Sequence, residues 1–174
     1  MVTEDPSGHV YVFVAVCDDK RAIRRDPEGR RIVTSEVNAA MKKTLKQWDA
    51  DHAGKSIGIK TTIEWFIDFK ELVEQNAPWD IKVPERWEST IGTQSPAQDE
   101  IVIYMGCPCT TMEIGNYTYA VLGRELGFPL TILLYGSYYA AGRPQRGTAE
   151  MEEELKDQAR IRAAYENLAI YFWD

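Results

Sequence analysis

Histidine and cysteine are scarce in this sequence. Among its 174 residues the histidines are His9 and His52, and the cysteines are Cys17, Cys107 and Cys109. Two distant histidines and a Cys-Pro-Cys spacing, one residue shorter than the usual Cys-x-x-Cys, supply a zinc site poorly. We therefore predict no metal and no cofactor. We interpret the cysteines as small apolar side chains, with a disulfide from Cys17 to either of the other two as the open alternative.

The chain also lacks a long hydrophobic run and an excess of positive charge. No apolar stretch approaches the roughly 20 residues that span a membrane, and the N-terminus has no signal-peptide core. The net charge is -7, whereas a broad nucleic-acid surface is usually basic. These absences predict no integral membrane segment, no signal peptide of its own and no extended nucleic-acid footprint, although a compact nuclease site stays open.

Helical periodicity is the main pattern that is present. Segment 34–48 begins with a capping Thr34 or Ser35, and segment 61–76 begins with Thr61 or Thr62. Their predicted inward-facing residues are Val37, Met41, Leu45 and Trp48 in the first helix, and Ile63, Phe66, Ile67 and Val73 in the second. Three more helices are predicted at 116–126, 131–141 and about 148–171.

Two short stretches, 9–16 and 101–105, are rich in β-branched and aromatic residues and are predicted to form strands that pair with each other. Between the helices, 77–100 is predicted to be an ordered functional loop. The fold class is therefore mainly α (α+β), a helical domain with a small two-stranded β element. We expect a single domain, 1–174, with a strand and helix appendage in 1–60 and a motif-bearing core in 61–174.

The stretch MEIGNYTYAVLGRELGF, residues 112–128, has more glycine than a helix needs, since each interior glycine costs about 1 kcal/mol. A helix that begins at Asn116, capped by that side chain, would leave backbone N–H groups open at Gly115, beside Glu113. Gly123 and Gly127 would allow close helix packing, or Gly127 would end the helix. A cap with a tight helix crossing explains the same residues without a functional site.

Other polar motifs flank this stretch. Trp79, Asp80 and Lys82 follow a helix end, where a helix stop with an ion pair is the structural alternative. Arg143 precedes the last helix, which carries the neighbouring pair Asp157-Gln158 and otherwise has the pattern of a solvated helix.

In their order, these motifs resemble the bacterial polymorphic toxin type 44 family, with this chain as a divergent member. The resemblance rests on Trp65-Phe66, Pro78-Trp79-Asp80 with Lys82, Gly115-Asn116 with Tyr119, Gly123, Gly127-Phe128, Arg143-Pro144 and Asp157-Gln158. It implies an antibacterial effector module of a secretion system, used in interbacterial competition and countered by a cognate immunity protein. The family's predicted activity is that of an RNase.

Two hydrolytic chemistries fit the candidate residues. Glycan cleavage needs two carboxylates, one kept protonated by apolar surroundings, so we assign Glu113 as general acid and Asp80 as its partner. Asn116 would position the substrate, and Lys82 and Asp157 would orient the site. Peptidoglycan, reached in the target-cell periplasm, is the favoured substrate. RNA in the target cytoplasm is the alternative, although histidine, the best acid–base group for it, is absent from the motifs.

Substrate contacts are predicted at aromatic rings, which stack on sugars, and at polar groups beside the carboxylates. The candidates are Trp79, Trp87, Tyr117, Tyr119, Gly115, Arg143 and Gln158. A cysteine nucleophile at Cys107 or Cys109 would need His9 or His52 as its base. A non-enzymatic immunity or adaptor protein is the remaining alternative.

Overall fold

The computed structural model describes residues 2–4, 10–12, 24–54, 59–97 and 99–168, with side chains for 24–54, 64–97 and 99–167. In these ranges the helices are α1 (Thr34–His52), α2 (Ile59–Val73), α3 (Pro84–Ile91), α4 (Thr111–Glu125), α5 (Leu130–Ala140) and α6 (Ala149–Ala163), which continues into a π-helical turn, Ala164–Leu168. The strands are β1 (Val2–Glu4), β2 (Val10–Val12), β3 (Val102–Tyr104) and β4 (Cys107–Cys109). The predicted mainly α (α+β) class is confirmed.

The described strands form two antiparallel pairs, β1 with β2 and β3 with β4, so the predicted pairing between 9–16 and 101–105 is wrong. The reason is the turn Met105-Gly106, whose two residues have φ of 52° and 80°. Two consecutive positive φ values close a tight hairpin, and β3 therefore pairs with the strand that follows it. The predicted strand 9–16 is observed at Val10–Val12, and its remaining residues lie outside the described ranges.

The helix predicted at 34–48 is confirmed as α1. Val37, Met41, Leu45 and Trp48 are all buried and belong to the same hydrophobic cluster as buried residues of α2 to α6. The predicted division of the domain at residue 60 is not tested by this packing, but α1 contributes directly to the common core.

The second predicted helix is confirmed as α2, but its inward face is shifted. Phe69 is 1% exposed, whereas Ile67 is 49% exposed, so the expected burial of Ile67 is wrong. Phe66 and Val73 pack partly buried against the core, and the side chain of Ile63 lies outside the described residues. None of the described helices combines the length and apolarity needed to cross a membrane.

Helix α3 lies in 77–100, where no regular structure was predicted. It is only eight residues long, too short for a convincing helical period. Pro84 occupies its first turn and Gly92, with φ of 81°, ends it, which is the usual distribution of these two residues at helix ends. Trp87, fully buried, attaches α3 to the core.

Helix α4 begins before the predicted start at Asn116. Thr110 caps it: the Thr110 hydroxyl accepts from the N–H of Glu113, and the Glu113 carboxylate accepts from the N–H of Thr110. This reciprocal capping box satisfies two terminal donors. Gly115 and Asn116 therefore lie inside the helix, and the predicted open helix mouth at Gly115 is wrong.

Gly123 and Gly127 have the roles predicted for them, the first in helix packing and the second in ending α4. A Cβ on Gly123 would lie 2.5 Å from Cδ2 of Leu133 on α5, so this glycine permits the close approach of the two helices. Gly127 has φ of 83° and follows the end of α4, as expected of a glycine that terminates a helix. The last two helices, predicted at 131–141 and 148–171, begin at Leu130 and Ala149.

Alanine substitutions at the two glycines of α4, Gly115 and Gly123, should change the stability of the protein in opposite directions. Gly115→Ala is expected to stabilise the protein by about 0.5–1 kcal/mol, because the helix gains propensity and nothing lies within 4 Å of the new Cβ. Gly123→Ala should destabilise it by about 1 kcal/mol net, because Leu133 is fully buried and cannot move aside freely. Urea denaturation of both variants measures the difference. Equal effects would contradict this assignment of the two positions.

Candidate functional site

A polar cluster joins α4 to α6 and contains three of the predicted site residues. Arg160 lies between two carboxylates, with Nη2 3.0 Å from Oε1 of Glu113 and Nη1 2.9 Å from Oδ1 of Asp157. Asn116 donates from Nδ2 to the same Oδ1 over 2.8 Å. We call Glu113, Asn116, Asp157 and Arg160 the α4–α6 cluster. The side chains of its three charged members are 26–29% exposed, so small groups can reach them from solvent.

Glu113 is held from both sides. Its Oε2 accepts from the backbone N–H of Thr110 at 2.9 Å and from the Thr110 hydroxyl at 3.3 Å, while Oε1 faces Arg160. The first turn of α4 adds the favourable interaction of an acid with a helix N-terminus. Glu113 therefore has polar, donor-rich surroundings instead of the apolar wall expected for a general acid.

Asp157 uses one carboxylate oxygen in its described contacts, whereas Glu113 uses both. Both described donors, Asn116 and Arg160, reach Oδ1, and among the described residues Oδ2 has no hydrogen-bond partner. The pKa of Arg160 is lowered by partial burial, but the hydrogen bond to Asp157 and the charge of Glu113 outweigh that effect and raise it above its usual value. Arg160 is thus a permanent cation between the two acids.

The charge of Glu113 also affects Tyr117 and Cys109. Partial burial and then the charge of Glu113 raise the pKa of Tyr117, whose ring stacks on Tyr104. Burial, followed by the charge of Glu113, raises the pKa of the Cys109 thiol to about 12. Cys109 is buried and Cys107 exposed, both as free thiols, so the small apolar interpretation holds for Cys109 and is wrong for Cys107; Cys17 lies outside the described residues.

Asp80 lies elsewhere, in the turn after α2. It is 4% exposed, and its Oδ2 accepts from the N–H of Asn76 over 2.8 Å. Asn76 has φ of 62°, so the carboxylate secures a left-handed turn. Lys82 is 3.7 Å from Oδ1, as the ion-pair alternative predicts. The hydrogen bond and the ion pair of Asp80 thus involve Asn76 and Lys82 and do not connect it to Glu113.

The predicted sugar-stacking tryptophans are core residues. Trp79 is 4% exposed and donates from Nε1 to the hydroxyl of Thr44, and Trp87 is fully buried. Tyr119 stacks on Phe69 and donates its hydroxyl proton to the carbonyl of Leu133. The expectation that Trp79 and Trp87 present rings to a ligand is therefore wrong. In the sequence these residues belong to the motifs, but in the structure their large apolar surface packs in the core.

The remaining candidates have separate locations. Arg143 is exposed, with its guanidinium 4.3 Å from the ring centre of Tyr139. Gln158 donates from Nε2 to the buried carboxylate of Glu154 over 2.7 Å, and the hydroxyl of Ser137 donates to the same oxygen. Gln158 is next to Asp157 in sequence, but its hydrogen bond to Glu154 lies within helix α6.

The sequence analysis missed Arg160, a member of the cluster, and Thr110, which bonds its Glu113. Arg160 follows Asp157 by three positions, a spacing that places both on one helix face. Thr110 and Glu113 match the Thr-x-x-Glu signature of a capping box, which also gives the correct start of α4.

Comparisons with known proteins do not assign a family to this chain, because no family model, no curated protein and no solved structure matches it. The resemblance to the type 44 toxin family therefore stays a prediction. Within the described residues, His, Cys, Asp and Glu side chains form no group of three or more that could hold a metal ion.

Proposed function

We propose that this chain is an antibacterial effector toxin domain that acts as a hydrolase, with the α4–α6 cluster as its reaction centre. The observation that carries the proposal is the single guanidinium of Arg160 between the carboxylates of Glu113 and Asp157. Because both carboxylates bond the same guanidinium, they lie in one cluster and can face the same substrate group. Glycosidases separate their two carboxyl groups by roughly 5–9.5 Å. A neighbouring pair of carboxylates is what cleavage of glycan strands requires, and in this proposal peptidoglycan is the substrate.

In this proposal Asp157 replaces Asp80 as the partner of Glu113, and their roles follow from the hydrogen bonds. Among the described residues Oδ2 of Asp157 has no hydrogen-bond partner, so it is the carboxylate oxygen of the cluster that a substrate or water oxygen can approach. Both oxygens of Glu113 accept hydrogen bonds or face Arg160, which suits the charged group that stabilises the developing sugar cation or attacks it. Asn116 is a positioning residue that fixes Asp157.

A first test distinguishes action in the periplasm from action in the cytosol, and a glycan substrate from RNA. A bacterial host expresses the chain in a cytosolic form and as a fusion to a periplasmic export signal. We expect lysis only after export, and we expect Glu113→Gln and Asp157→Asn each to abolish it. Glu152→Gln, an exposed acid-to-amide change in the first turn of α6, is the matched control and should remain lytic.

Other outcomes overturn parts of the proposal. Growth arrest by the cytosolic form with degraded RNA would replace the glycan by RNA as substrate. Harmlessness of well-folded protein in both compartments would favour the immunity or adaptor alternative. With purified cell-wall sacculi, new reducing sugar ends released by the parent chain but not by Asp157→Asn would show that a glycosidic bond is hydrolysed. Release of fragments without new reducing ends would exclude hydrolysis of the glycan.

A further inference from the structure

Arg31 is a buried cation without a described carboxylate partner. It is 5% exposed, and its guanidinium donates to the carbonyl oxygen of Gln94 and, over 2.7 Å, to the hydroxyl of Thr93. Both acceptors are neutral. No carboxylate in the described ranges forms an ion pair with Arg31, although burial of an unpaired charge is costly.

A cleft opens beside this guanidinium. Its volume is about 290 Å³, and it is lined by Arg25, Arg31, Gln94, Ser95, Ala97 and Glu100. Arg25 and Arg31 face each other in an isolated antiparallel bridge, an arrangement that places opposed side chains close together. The backbone of Arg31 is fixed from the other side, because its carbonyl accepts from the N–H of Ile103 over 2.8 Å.

We propose that this cleft binds a small oxyanion, of the carboxylate or phosphate type, between Arg25 and Arg31. A guanidinium has five N–H donors, and the described hydrogen bonds of Arg31 use only its two terminal nitrogens. Planar oxyanions and phosphates match the guanidinium fork and form strong charge-assisted hydrogen bonds with it. A bound anion would supply the charge that the buried Arg31 lacks.

Glu100 reduces the positive charge of the cleft. Its carboxylate lines the same space, and its Oε2 accepts from the N–H of Ala97 over 3.1 Å. Two arginines and one glutamate leave an excess of one positive charge, which favours a small anion over a polyanion. The site shares no residue with the α4–α6 cluster, so it stands or fails independently of the proposed hydrolase. It also gives a role to 93–100, part of the segment predicted to be a functional loop.

Calorimetric titration and thermal unfolding of the full chain test the site, with inorganic phosphate in one arm and malonate in the other. Chloride keeps the ionic strength constant. We expect saturable binding of at least one anion and a rise in Tm that follows its concentration. Arg25→Ala should weaken binding at least tenfold, and Glu100→Gln should strengthen it several-fold. Arg146→Ala, the loss of an exposed arginine elsewhere, is the matched control and should bind as the parent does.

These variants keep the test decisive even if changes at the buried Arg31 prevent folding, because Arg25 and Glu100 are not buried. Binding of phosphate alone or of malonate alone would support the site and identify the kind of anion. Absence of saturable binding in both arms would overturn the proposal. Binding that Arg25→Ala and Glu100→Gln leave unchanged would overturn it as well, since the anion would then lie elsewhere.

Discussion

Replacing Trp87 by alanine is expected to lower the free energy of unfolding by about 3–5 kcal/mol. The indole is fully buried, so its removal leaves a cavity that α3 cannot fill. Its Nε1 also donates to the hydroxyl of Thr93 over 3.2 Å, and that hydroxyl accepts from the buried Arg31. Loss of Trp87 thus disturbs the acceptor of a buried cation in addition to the core. Urea denaturation gives the change as a lower midpoint at an unchanged slope.

Two controls separate these contributions. Trp87→Phe retains most of the ring volume and removes the N–H donor, so we expect a smaller loss than for alanine. Ile67→Ala removes an apolar side chain that is 49% exposed, and the free energy of unfolding should change by no more than about 0.5 kcal/mol. A Trp87→Ala loss as small as that of Ile67→Ala would show that α3 does not belong to the cooperative core.

Replacing Arg160 by methionine should cost about 2 kcal/mol, between the values for exposed and for buried ion pairs. The variant keeps most of the aliphatic stem but leaves Glu113 and Asp157 without the cation between them. A double-mutant cycle with Glu113→Gln should give a favourable coupling energy. The loss should shrink in high salt, because the charges are partly exposed.

The matched control is Arg162→Met, two positions further along α6. Arg162 is 55% exposed on its side chain and faces Glu166 at 3.8 Å, so its replacement should cost no more than about 0.5 kcal/mol. Equal effects of the two substitutions would mean that the α4–α6 cluster is not an interacting unit. In the export assay, Arg160→Met should also reduce lysis more than Arg162→Met does, because the two carboxylates are no longer held together.

Long periodic elements were predictable from sequence, and short ones were not. In α1, Val37, Met41, Leu45 and Trp48 repeat over about three turns, and this pattern alone predicted the buried face. The short helix α3 offers little more than Trp87 and Ile91 as buried positions, and only Pro84 and Gly92 mark its ends. The β3–β4 pair was missed because Met105, a residue that seldom adopts positive φ, occupies the turn.

The candidate site was predicted in part. Glu113, Asn116 and Asp157 were selected from sequence, but the start of α4 was placed at Asn116 and the capping box at Thr110 was overlooked. Arg160 could not be placed beside Glu113 from the sequence, because helix α6 approaches α4 only through tertiary packing. Asp80 was paired with Glu113 on chemical type alone, and a carboxylate that caps a turn has the same sequence signature as one that catalyses.

The backbone of Ile103 links two distant parts of the sequence. Its N–H donates to the carbonyl of Arg31, and its carbonyl accepts from the N–H of Val33, so β3 is attached to the segment before α1 from a distant part of the sequence. Exposure of either amide to solvent requires β3 to separate from the segment before α1. The amide hydrogens of Val33 and Ile103 should consequently exchange with deuterium only through global unfolding, and their exchange rates would report the stability of the whole domain.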